Sequence, residues 1–278
     1  MEQYRVGTTN TTKGAYPSLK RIGYVCSIIF LLALLPLYAS ITDAADKPYH
    51  FGFKKSKNGQ PASIDQEGFK HLLEKHGAIF TGDPSKKDLY LTFDNGYENG
   101  YTPKILDILK AKKVPAIFFV TGHYVKDQPE LLKRMAAEGH LIGNHSWSHP
   151  DMTRVSNEKI KDELDRVKEQ VAQITGQQHM RYLRPPRGIF SDRTLATSKA
   201  LGYTHVFWSV AYNDWNVNAQ KGWKYAHDKV MAQLHPGAVI LLHAVSKDNA
   251  DAMGQIIDDA RKQGYEFKSL DDMQILVP

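Results

Sequence analysis

The sequence predicts an α/β fold, namely a distorted (β/α) barrel of about seven units that follows a short N-terminal extension. Short apolar segments of strand length alternate with segments of helical spacing from Asp88 towards the end of the chain. Such alternation implies parallel strands joined by right-handed crossovers. An open, doubly wound sheet is the alternative. Both folds place their chemistry just beyond the carboxyl ends of the strands.

Each element is predicted from its periodicity and its end signals. The strand at 88–93 (DLYLTF) is a short apolar run, and the helix at 156–175 has Ser156 as its cap and Gly176 as its stop. The other predicted strands are 114–120, 141–144, 182–183, 204–210, 238–243 and 265–269. The other predicted helices are 64–76, 102–112, 129–138, 192–201, 223–234 and 249–263.

The chain divides into three predicted regions, which are 1–44, 45–87 and 88–278. In the first region the apolar run 22–37 follows Lys20 and Arg21, which is typical of a secretory signal. A membrane anchor is the alternative, but the run is shorter than the roughly 20 residues of a spanning helix and contains Pro36. Both interpretations place the protein outside the cytoplasm, either secreted or membrane-anchored. The second region is a polar extension that we expect to pack on the third.

Composition excludes several classes of protein. The single cysteine, Cys26, lies in the apolar run, so a disulfide framework and any Cys-based catalytic or metal site are excluded. The net charge of +6 and the pI near 9.1 favour association with anionic polymers such as bacterial wall glycans. The chain has no concentrated block of Lys and Arg and no nucleic-acid motif, so we expect no nucleic-acid partner. No obligate protein partner is inferred.

Polar and ionisable side chains follow five successive predicted strands. They are Asp94 and Asn95, His145 and His149, Arg184, Asp214 with Trp215, and His243. Because parallel strands end at the same rim, we expect these groups to converge there. Each of them alone has a structural explanation, and only their joint placement indicates a site.

The individual groups suggest acid–base and metal chemistry. Asp94 alone suits a turn, but a carboxylate at a strand end can also act as a general base. His145 and His149 are either two surface histidines or two ligands of one metal, since neutral imidazoles suit zinc and also bind cobalt or nickel. Arg184 precedes two prolines, so it either lies in a helix-stopping loop and faces solvent or has a stiff backbone that aims its guanidinium at a carboxylate.

The last two strand ends have the same two interpretations. Trp215 either packs in the core or stacks on a sugar, and Asp214 could orient a histidine. His243 ends a strongly apolar strand, so alone it suits a buried, hydrogen-bonded core position. A histidine at a rim and oriented by a carboxylate could instead serve as a general acid near neutral pH.

Taken together, these residues resemble the polysaccharide deacetylases, which carry the NodB homology domain and form carbohydrate esterase family four. The five motifs of that family occur in order, as 92–96 (TFDNG), 145–149 (HSWSH), 184–186 (RPP), 214–215 (DW) and 242–243 (LH). The resemblance covers Asp88 to about Leu270. It implies a distorted (β/α) barrel and metal-assisted hydrolysis of an acetamide on a glycan.

The resemblance also assigns roles. Asp94 is implied as the general base that activates water, and Arg184 as the residue that orients it. Asp214 is implied to hold His243, which protonates the leaving amine. Two further sets are implied: the ligands of a divalent metal, with zinc favoured and cobalt as an alternative, and a substrate pocket. The metal set is His145, His149 and the third position, Asn95, and the pocket set is Trp215, Leu242 and Pro186.

Asn95 departs from the usual pattern of the family, which has an aspartate there as the third metal ligand. An amide oxygen is neutral and a weaker donor, so this departure predicts weaker metal binding. The Asn version, with 184–188 (RPPRG), resembles the muramic acid deacetylases of the spore cortex. That likeness implies N-acetylmuramic acid in peptide-free glycan as substrate, and muramic δ-lactam as the eventual product.

Three alternatives stay open at this point. The first is a deacetylase of N-acetylglucosamine or chitooligosaccharides. The second, motivated by Asn95, is a non-catalytic glycan-binding protein. The third is a glycosidase that uses Asp94 and Asp214 as its two carboxylates, in which the histidine pair has no role.

Overall fold

The computed structural model describes residues 46–273. The strands are β1 Tyr49–His50, β2 Asp88–Asn95, β3 Ala116–Val120, β4 Leu141–Asn144, β5 Tyr182–Leu183, β6 Ile189–Phe190, β7 Thr204–His205, β8 Ala238–His243 and β9 Glu266–Phe267. The α-helices are α1 Lys70–His76, α2 Thr102–Lys112, α3 Gly122–Asp127, α4 Pro129–Ala137, α5 Asn157–Thr175, α6 Asp192–Ala200, α7 Trp223–Met231 and α8 Lys247–Lys262. The predicted signal, 1–44, and Cys26 lie outside the described residues.

The main sheet is parallel and runs in the order β7-β5-β4-β3-β2-β8, with β9 paired to the start of β2. A parallel bridge between Val210 and Ile240 then joins the segment after β7 to β8. The main-chain N–H groups of Ser209 and Leu241 donate across this joint, to Val239 and Val210. The sheet therefore closes on itself, and the predicted distorted barrel is confirmed.

The two faces of β2 explain how the barrel places a polar residue at its mouth. Leu89, Leu91 and Phe93 pack outwards against the helices, whereas Tyr90 packs inwards. Because side chains alternate along a strand, Asp94 shares the inward face of Tyr90. The barrel interior below it is filled by apolar side chains from several strands, so Asp94 sits on a packed floor.

Strand register brings the predicted site residues together. Asp94 pairs directly with His243 between β2 and β8. On the other side, the main-chain N–H of His145 donates to Val120 of β3, and that of Arg184 donates to Asn144 of β4. The residues that follow neighbouring strands therefore emerge side by side at one rim.

The N-terminal extension packs against the barrel. β1 pairs antiparallel with β6, and the Phe51 ring stacks on Phe207 with centroids 4.4 Å apart. Ile79 forms a parallel bridge with Val206. The extension therefore packs on the segment that closes the barrel, and Ile79 adds its side chain to the inward-facing cluster. The predicted boundaries at 45–87 and 88–278 stay predictions.

Several predicted elements differ from those observed by a few residues at their ends, and two differ more. The strand predicted at 204–210 ends at His205, because the carbonyls of Val206 and Phe207 accept hydrogen bonds from the Arg184 side chain. The helix predicted from Ile64 begins only at Lys70, because Gly68 adopts a left-handed φ of 73°. The short helix α3, Gly122–Asp127, was not predicted.

Gly143 is required by the tight packing inside the barrel. A Cβ at this position would lie 2.6 Å from the Phe119 ring, which supports the Arg184 guanidinium at 4.3 Å from its centroid. We expect Gly143→Ala to lower the free energy of unfolding by roughly 1–3 kcal/mol in urea titrations. Gly254→Ala is the matched control, since its Cβ would approach nothing closer than 3.5 Å and alanine favours the helix. Equal stability of both variants would contradict this packing argument.

Candidate active site

A cavity of about 700 Å³ opens at the carboxyl ends of the strands. Asp94, His145, His149, Trp215 and His243, all predicted from the sequence, line it. The structure also places Arg184 and Asp214 beside it, each through a hydrogen bond to one of the lining residues. The predicted convergence on one rim is therefore present.

Arg184 fixes the carboxylate of Asp94. The guanidinium is fully buried, and its Nη1 donates to Asp94 Oδ1 at 2.8 Å. Its Nε and Nη2 donate to the carbonyls of Val206 and Phe207 at 3.0 and 3.3 Å. Arg184 therefore cannot rotate without breaking three hydrogen bonds, and the second oxygen of Asp94 is left facing the cavity.

The electrostatic environment keeps Asp94 ionised. Burial raises the pKa of its carboxyl, but the neighbouring groups, above all the positive charge of Arg184, outweigh burial, so the pKa is lowered. An ionised carboxylate with one free oxygen is able to accept a proton from a bound water.

His145 and His149 form a close pair. Their Nε2 atoms are 3.2 Å apart, and His145 Nε2 lies 3.6 Å from Asp94 Oδ2. His145 Nδ1 lies 2.8 Å from the Arg184 carbonyl, which can only accept, so Nδ1 carries the proton and Nε2 presents its lone pair. Burial lowers the pKa of both imidazoles, that of His149 to about 4, so both are neutral near pH 7.

The loop that carries the two histidines is strained and tightly held. Ser146 and His149 have left-handed φ angles of 63° and 56°, which are unfavourable for residues other than glycine. The buried carboxylate of Glu163 in α5 accepts from the N–H and the hydroxyl of Ser148 at 2.6 and 2.8 Å. Asn144 Oδ1 accepts from the Ser146 N–H at 2.9 Å. These contacts hold a conformation that the loop would not adopt alone.

His243 is held by Asp214 on the opposite side of the cavity. Asp214 Oδ1 accepts from His243 Nδ1 at 2.8 Å, and Oδ2 accepts from the His243 main-chain N–H at 2.8 Å. Asn249 Nδ2 donates to the same Oδ2 at 2.6 Å. Asp214 is 3% exposed, so its charge is satisfied by protein donors and not by bulk water. Its contact at Nδ1 leaves Nε2 of His243 as the free nitrogen.

The same contacts set the charge of His243. Burial lowers the pKa of the imidazole, but the hydrogen bond and the negative charge of Asp214 outweigh burial, and the pKa is raised above its usual value. The cavity therefore has an ionised carboxylate on one side and an imidazole disposed to carry a proton on the other.

The donors beside Asp94 fit a metal ion in part. Two ligands about 2.05 Å from one tetrahedral metal lie roughly 3.3 Å apart, close to the 3.2 Å between the two Nε2 atoms. The Asn95 amide is fully buried and does not line the cavity, and the Tyr124 hydroxyl lies close enough to interact with it. No three His, Cys, Asp or Glu side chains in the described part of the chain are arranged to hold a metal. Asn95 or water would have to complete the coordination.

Two residues predicted for the substrate pocket do not line the cavity. Leu242 is fully buried in the core between the sheet and the helices, and Leu241 lines the cavity instead. Alternation along β8 causes this, because His243 and Leu241 face inwards while Leu242 faces outwards. Pro186 is also buried, and the next two residues, Arg187 and Gly188, contribute to the wall. Trp215 lines the cavity as predicted and is 58% exposed.

Two supporting residues were not predicted as part of the site. Asn249 was assigned only to a helix, and Glu163 lies in the middle of α5. A signal existed for the first, since 246–249 (SKDN) suits a helix start whose Ser246 cap places Asn249 in the first turn beside β8. A single glutamate within an amphipathic helix carries no comparable signal.

The fold and the site define the class of protein as a hydrolytic enzyme with a base and an acid facing one cavity. Within that class, the sequence profile described as polysaccharide deacetylase matches residues 81–206. The chain is 54% identical over 251 residues to the peptidoglycan-N-acetylmuramic acid deacetylase PdaA of Bacillus subtilis, covering 90% of this chain and 95% of that protein. The chain therefore belongs to the polysaccharide deacetylase family, as the sequence resemblance indicated.

Two further comparisons agree with this assignment. The solved structure of Bacillus subtilis PdaA, described as a family 4 carbohydrate esterase, matches with a TM-score of 0.80 and 56% identity, covering 82% of this chain and 97% of that one. A chitooligosaccharide deacetylase of Bradyrhizobium is 37% identical over 204 residues, which cover 68% of this chain and 92% of that protein.

The contact with Asp214 predicts a measurable titration of His243. Asp214→Asn removes the negative charge that raises the pKa of the imidazole, so that pKa should fall. NMR titration of the imidazole signals measures it, with the His243 signal assigned from its loss in His243→Gln. Asp251→Asn is the control, because that carboxylate pairs with Lys104 and Lys247. An unchanged or higher His243 pKa in Asp214→Asn would show that another group sets its charge.

Proposed function

We propose that this enzyme removes the acetyl group from N-acetylmuramic acid in peptide-free glycan strands of peptidoglycan. The observation that supports the reaction is that an ionised Asp94 and a His243 with a raised pKa face one cavity. Such a division of charge suits a hydrolysis that needs a base for its first step and an acid for its second. The family is one of deacetylases, and the similarity to the N-acetylmuramic acid deacetylase PdaA supports the substrate.

Asp94 acts first in the proposed mechanism. Its free Oδ2 takes a proton from a water molecule as the water oxygen bonds to the acetyl carbon. Arg184 holds the other oxygen, so the base keeps its position and its charge while the reaction proceeds. The product of this step is a tetrahedral species with a negatively charged oxygen.

His243 acts second. Its Nε2 donates a proton to the nitrogen of the sugar as the carbon–nitrogen bond breaks, which releases acetate and a free amine. Asp214 stabilises the imidazolium before this transfer and keeps Nδ1 protonated throughout, as in other carboxylate–histidine pairs. Asp214 itself cannot flank a scissile glycosidic bond, because both of its oxygens accept protein hydrogen bonds. A glycosidase with Asp94 and Asp214 as its two carboxylates is therefore disfavoured.

His145 and His149 are the proposed holders of a divalent cation. Water, or the Asn95 amide after a change of its orientation, would complete the coordination. Such an ion, with zinc favoured, supplies Lewis acidity at the acetyl carbonyl and offsets the charge of the oxyanion. The neutral Asn95 in place of a carboxylate predicts that the ion is held more weakly than in a site with an aspartate there.

Arg187 favours muramic acid over glucosamine. This exposed residue lines the cavity, and its guanidinium has no hydrogen bond or ion pair to any other residue within 46–273. Its backbone has a left-handed φ of 57°, so the segment aims the side chain at some local cost. Muramic acid differs from glucosamine in its lactyl carboxylate, and a carboxylate is the ligand that an unpaired guanidinium prefers. The likeness to the chitooligosaccharide deacetylase keeps glucosamine as the second candidate substrate.

The substrate also sets the proposed location. Glycan strands of the wall lie outside the cytoplasm, so we propose that 1–44 directs export, with or without cleavage, towards the spore cortex. In the described part of the chain, no helix has the length and apolar character needed to span a bilayer. The freed amine lies beside the lactyl carboxyl, so closure to muramic δ-lactam with loss of water is favoured by proximity.

Mass spectrometry of treated glycan tests the reaction. Peptide-free strands incubated with metal-restored protein should lose acetyl groups, and metal-stripped protein should release at least tenfold less acetate, on the order expected for a lost Lewis acid. His243→Gln leaves the Arg184–Asp94 pair intact and should reduce acetate release by roughly 10²–10⁴-fold. Asp94→Asn should do the same, with its folding verified by circular dichroism. Glycan binding without acetate release under any divalent metal would instead favour a non-catalytic protein.

Charge reversal at the cavity wall tests the substrate. Arg187→Glu should lower kcat/KM for muramic-containing glycan by about tenfold or more, because it replaces attraction of the lactyl carboxylate with repulsion. Activity on chitooligosaccharides, which lack that carboxylate, should change much less. Lys113→Glu is the control, since Lys113 lies at the end of α2 and does not line the cavity. An equal loss on both substrates would exclude Arg187 as the selective group.

A further inference from the structure

We infer that a second cavity, beside the active cavity lined by Asp94 and His243, binds the sugar ring next to the one that is deacetylated. Tyr97, which lines both cavities, provides the aromatic surface on which this neighbouring ring stacks. This inference rests on the proposed function, because it assumes a linear glycan as substrate. It adds a subsite and two recognition residues, Tyr97 and His123, to the catalytic groups.

The two cavities are continuous. The second has a volume of about 450 Å³ and is lined by Gly96, Tyr97, Thr121, His123, Trp147, Ser148 and His149. Three of these residues, Gly96, Tyr97 and His149, also line the active cavity. A polymer whose reacting ring occupies the first cavity therefore has a formed depression in which its neighbouring ring can lie.

Tyr97 is an exposed side chain on a loop whose backbone is held by hydrogen bonds. It is 43% exposed, and within 46–273 its ring and its hydroxyl have no hydrogen bond, ion pair or ring contact. The backbone on both sides is fixed, since Thr121 Oγ1 donates to the Gly96 carbonyl at 3.0 Å and Asn99 Nδ2 donates to the Val245 carbonyl at 3.0 Å. An exposed aromatic ring on a fixed loop loses little entropy when a ligand stacks on it.

The anchoring of this loop extends below Tyr97. The Glu98 carboxylate accepts from the hydroxyls of Thr102 and Tyr124 and from the Thr102 N–H. The loop after β2 is thus held by hydrogen bonds to the start of α2 and to α3. The exposure of Tyr97 is therefore a fixed property of the loop.

Trp147 gives the second cavity a stiff floor. A Cβ on Gly122 would lie 2.3 Å from its ring, so the backbone packs directly on the indole. Arg166 lies over the ring at 4.2 Å from its centroid, and Lys126 lies at 5.0 Å. Because the indole faces are already in contact with protein, Tyr97 is the surface on which a sugar can stack.

The lining selects the class of ligand. It contains aromatic rings, hydroxyls and two imidazoles and no carboxylate, and His123 is exposed with no hydrogen-bond partner within 46–273. A pyranose ring presents C–H groups to an aromatic face and hydroxyls at its edge, and the Tyr97 ring and the His123 imidazole can bind these two kinds of group. The cations beside Trp147 suit a strand whose muramic residues carry carboxylates.

The test compares glycans of different length. For each variant, the ratio of kcat/KM on long strands to kcat/KM on the shortest accepted glycan is measured, so that any general loss of activity cancels. Tyr97→Ala should lower this ratio by roughly tenfold through a higher KM on long strands, as expected for the loss of one stacked ring. Tyr97→Phe keeps the ring and should restore the ratio.

Two further variants separate the second cavity from the first. His123 lines only the second cavity, so His123→Ala should lower the ratio, whereas His179→Ala, an exposed position that lines neither cavity, should not. An unchanged ratio in Tyr97→Ala and His123→Ala would overturn the inference while the wild-type activity still supported the proposed function. If wild-type protein released no acetate, calorimetric binding of the same glycans to Tyr97→Ala and wild type would decide the subsite independently.

Discussion

The buried contact between Arg184 and Asp94 is the interaction on which the rest of the site depends. Through its side chain, Arg184 fixes the base, and through its carbonyl it fixes the tautomer of His145. Its remaining donors hold Val206 and Phe207, where the barrel closes. Removing one partner of such a buried pair costs about 3–5 kcal/mol, because a charge is left without compensation. Barrel closure, base and histidine pair are therefore coupled through one residue, Arg184.

The acid on the other side of the cavity is held by an independent set of contacts. Asp214 binds both the imidazole and the main chain of His243, and Asn249 completes its hydrogen bonds. Tyr212 donates to the oxygen of that same amide, so Asn249 is oriented with its nitrogen towards Asp214. The cation Arg184 keeps the base Asp94 ionised, and the anion Asp214 raises the pKa of the acid His243. The two carboxylates do not contact each other. Separate partners are what allow two opposite protonation states to coexist in one cavity at neutral pH.

The sequence predicted the site better than its surroundings, for physical reasons. Asp94, His145 and His243 follow strands, and parallel strands end at one rim whatever the details of the fold. Leu242 was misplaced because a family motif gives the position of a residue along the chain but not the face of the strand on which its side chain lies, and Leu241 and Leu242 lie on opposite faces of β8. Glu163 was missed because a side chain on a helix reaches the site only through packing, which spacing along the chain does not reveal.

The strained loop that carries His145 and His149 depends on contacts with the rest of the fold. Two non-glycine residues, Ser146 and His149, adopt left-handed backbones, each at a cost of about 1–3 kcal/mol. The fully buried Glu163 helps to offset this cost. It accepts two hydrogen bonds from Ser148 and forms an ion pair with Lys159 at 2.9 Å. We expect the loop to relax without that support, which would change the distance between the two Nε2 atoms. The spacing of the imidazoles is thus set by α5 as well as by the loop that carries them.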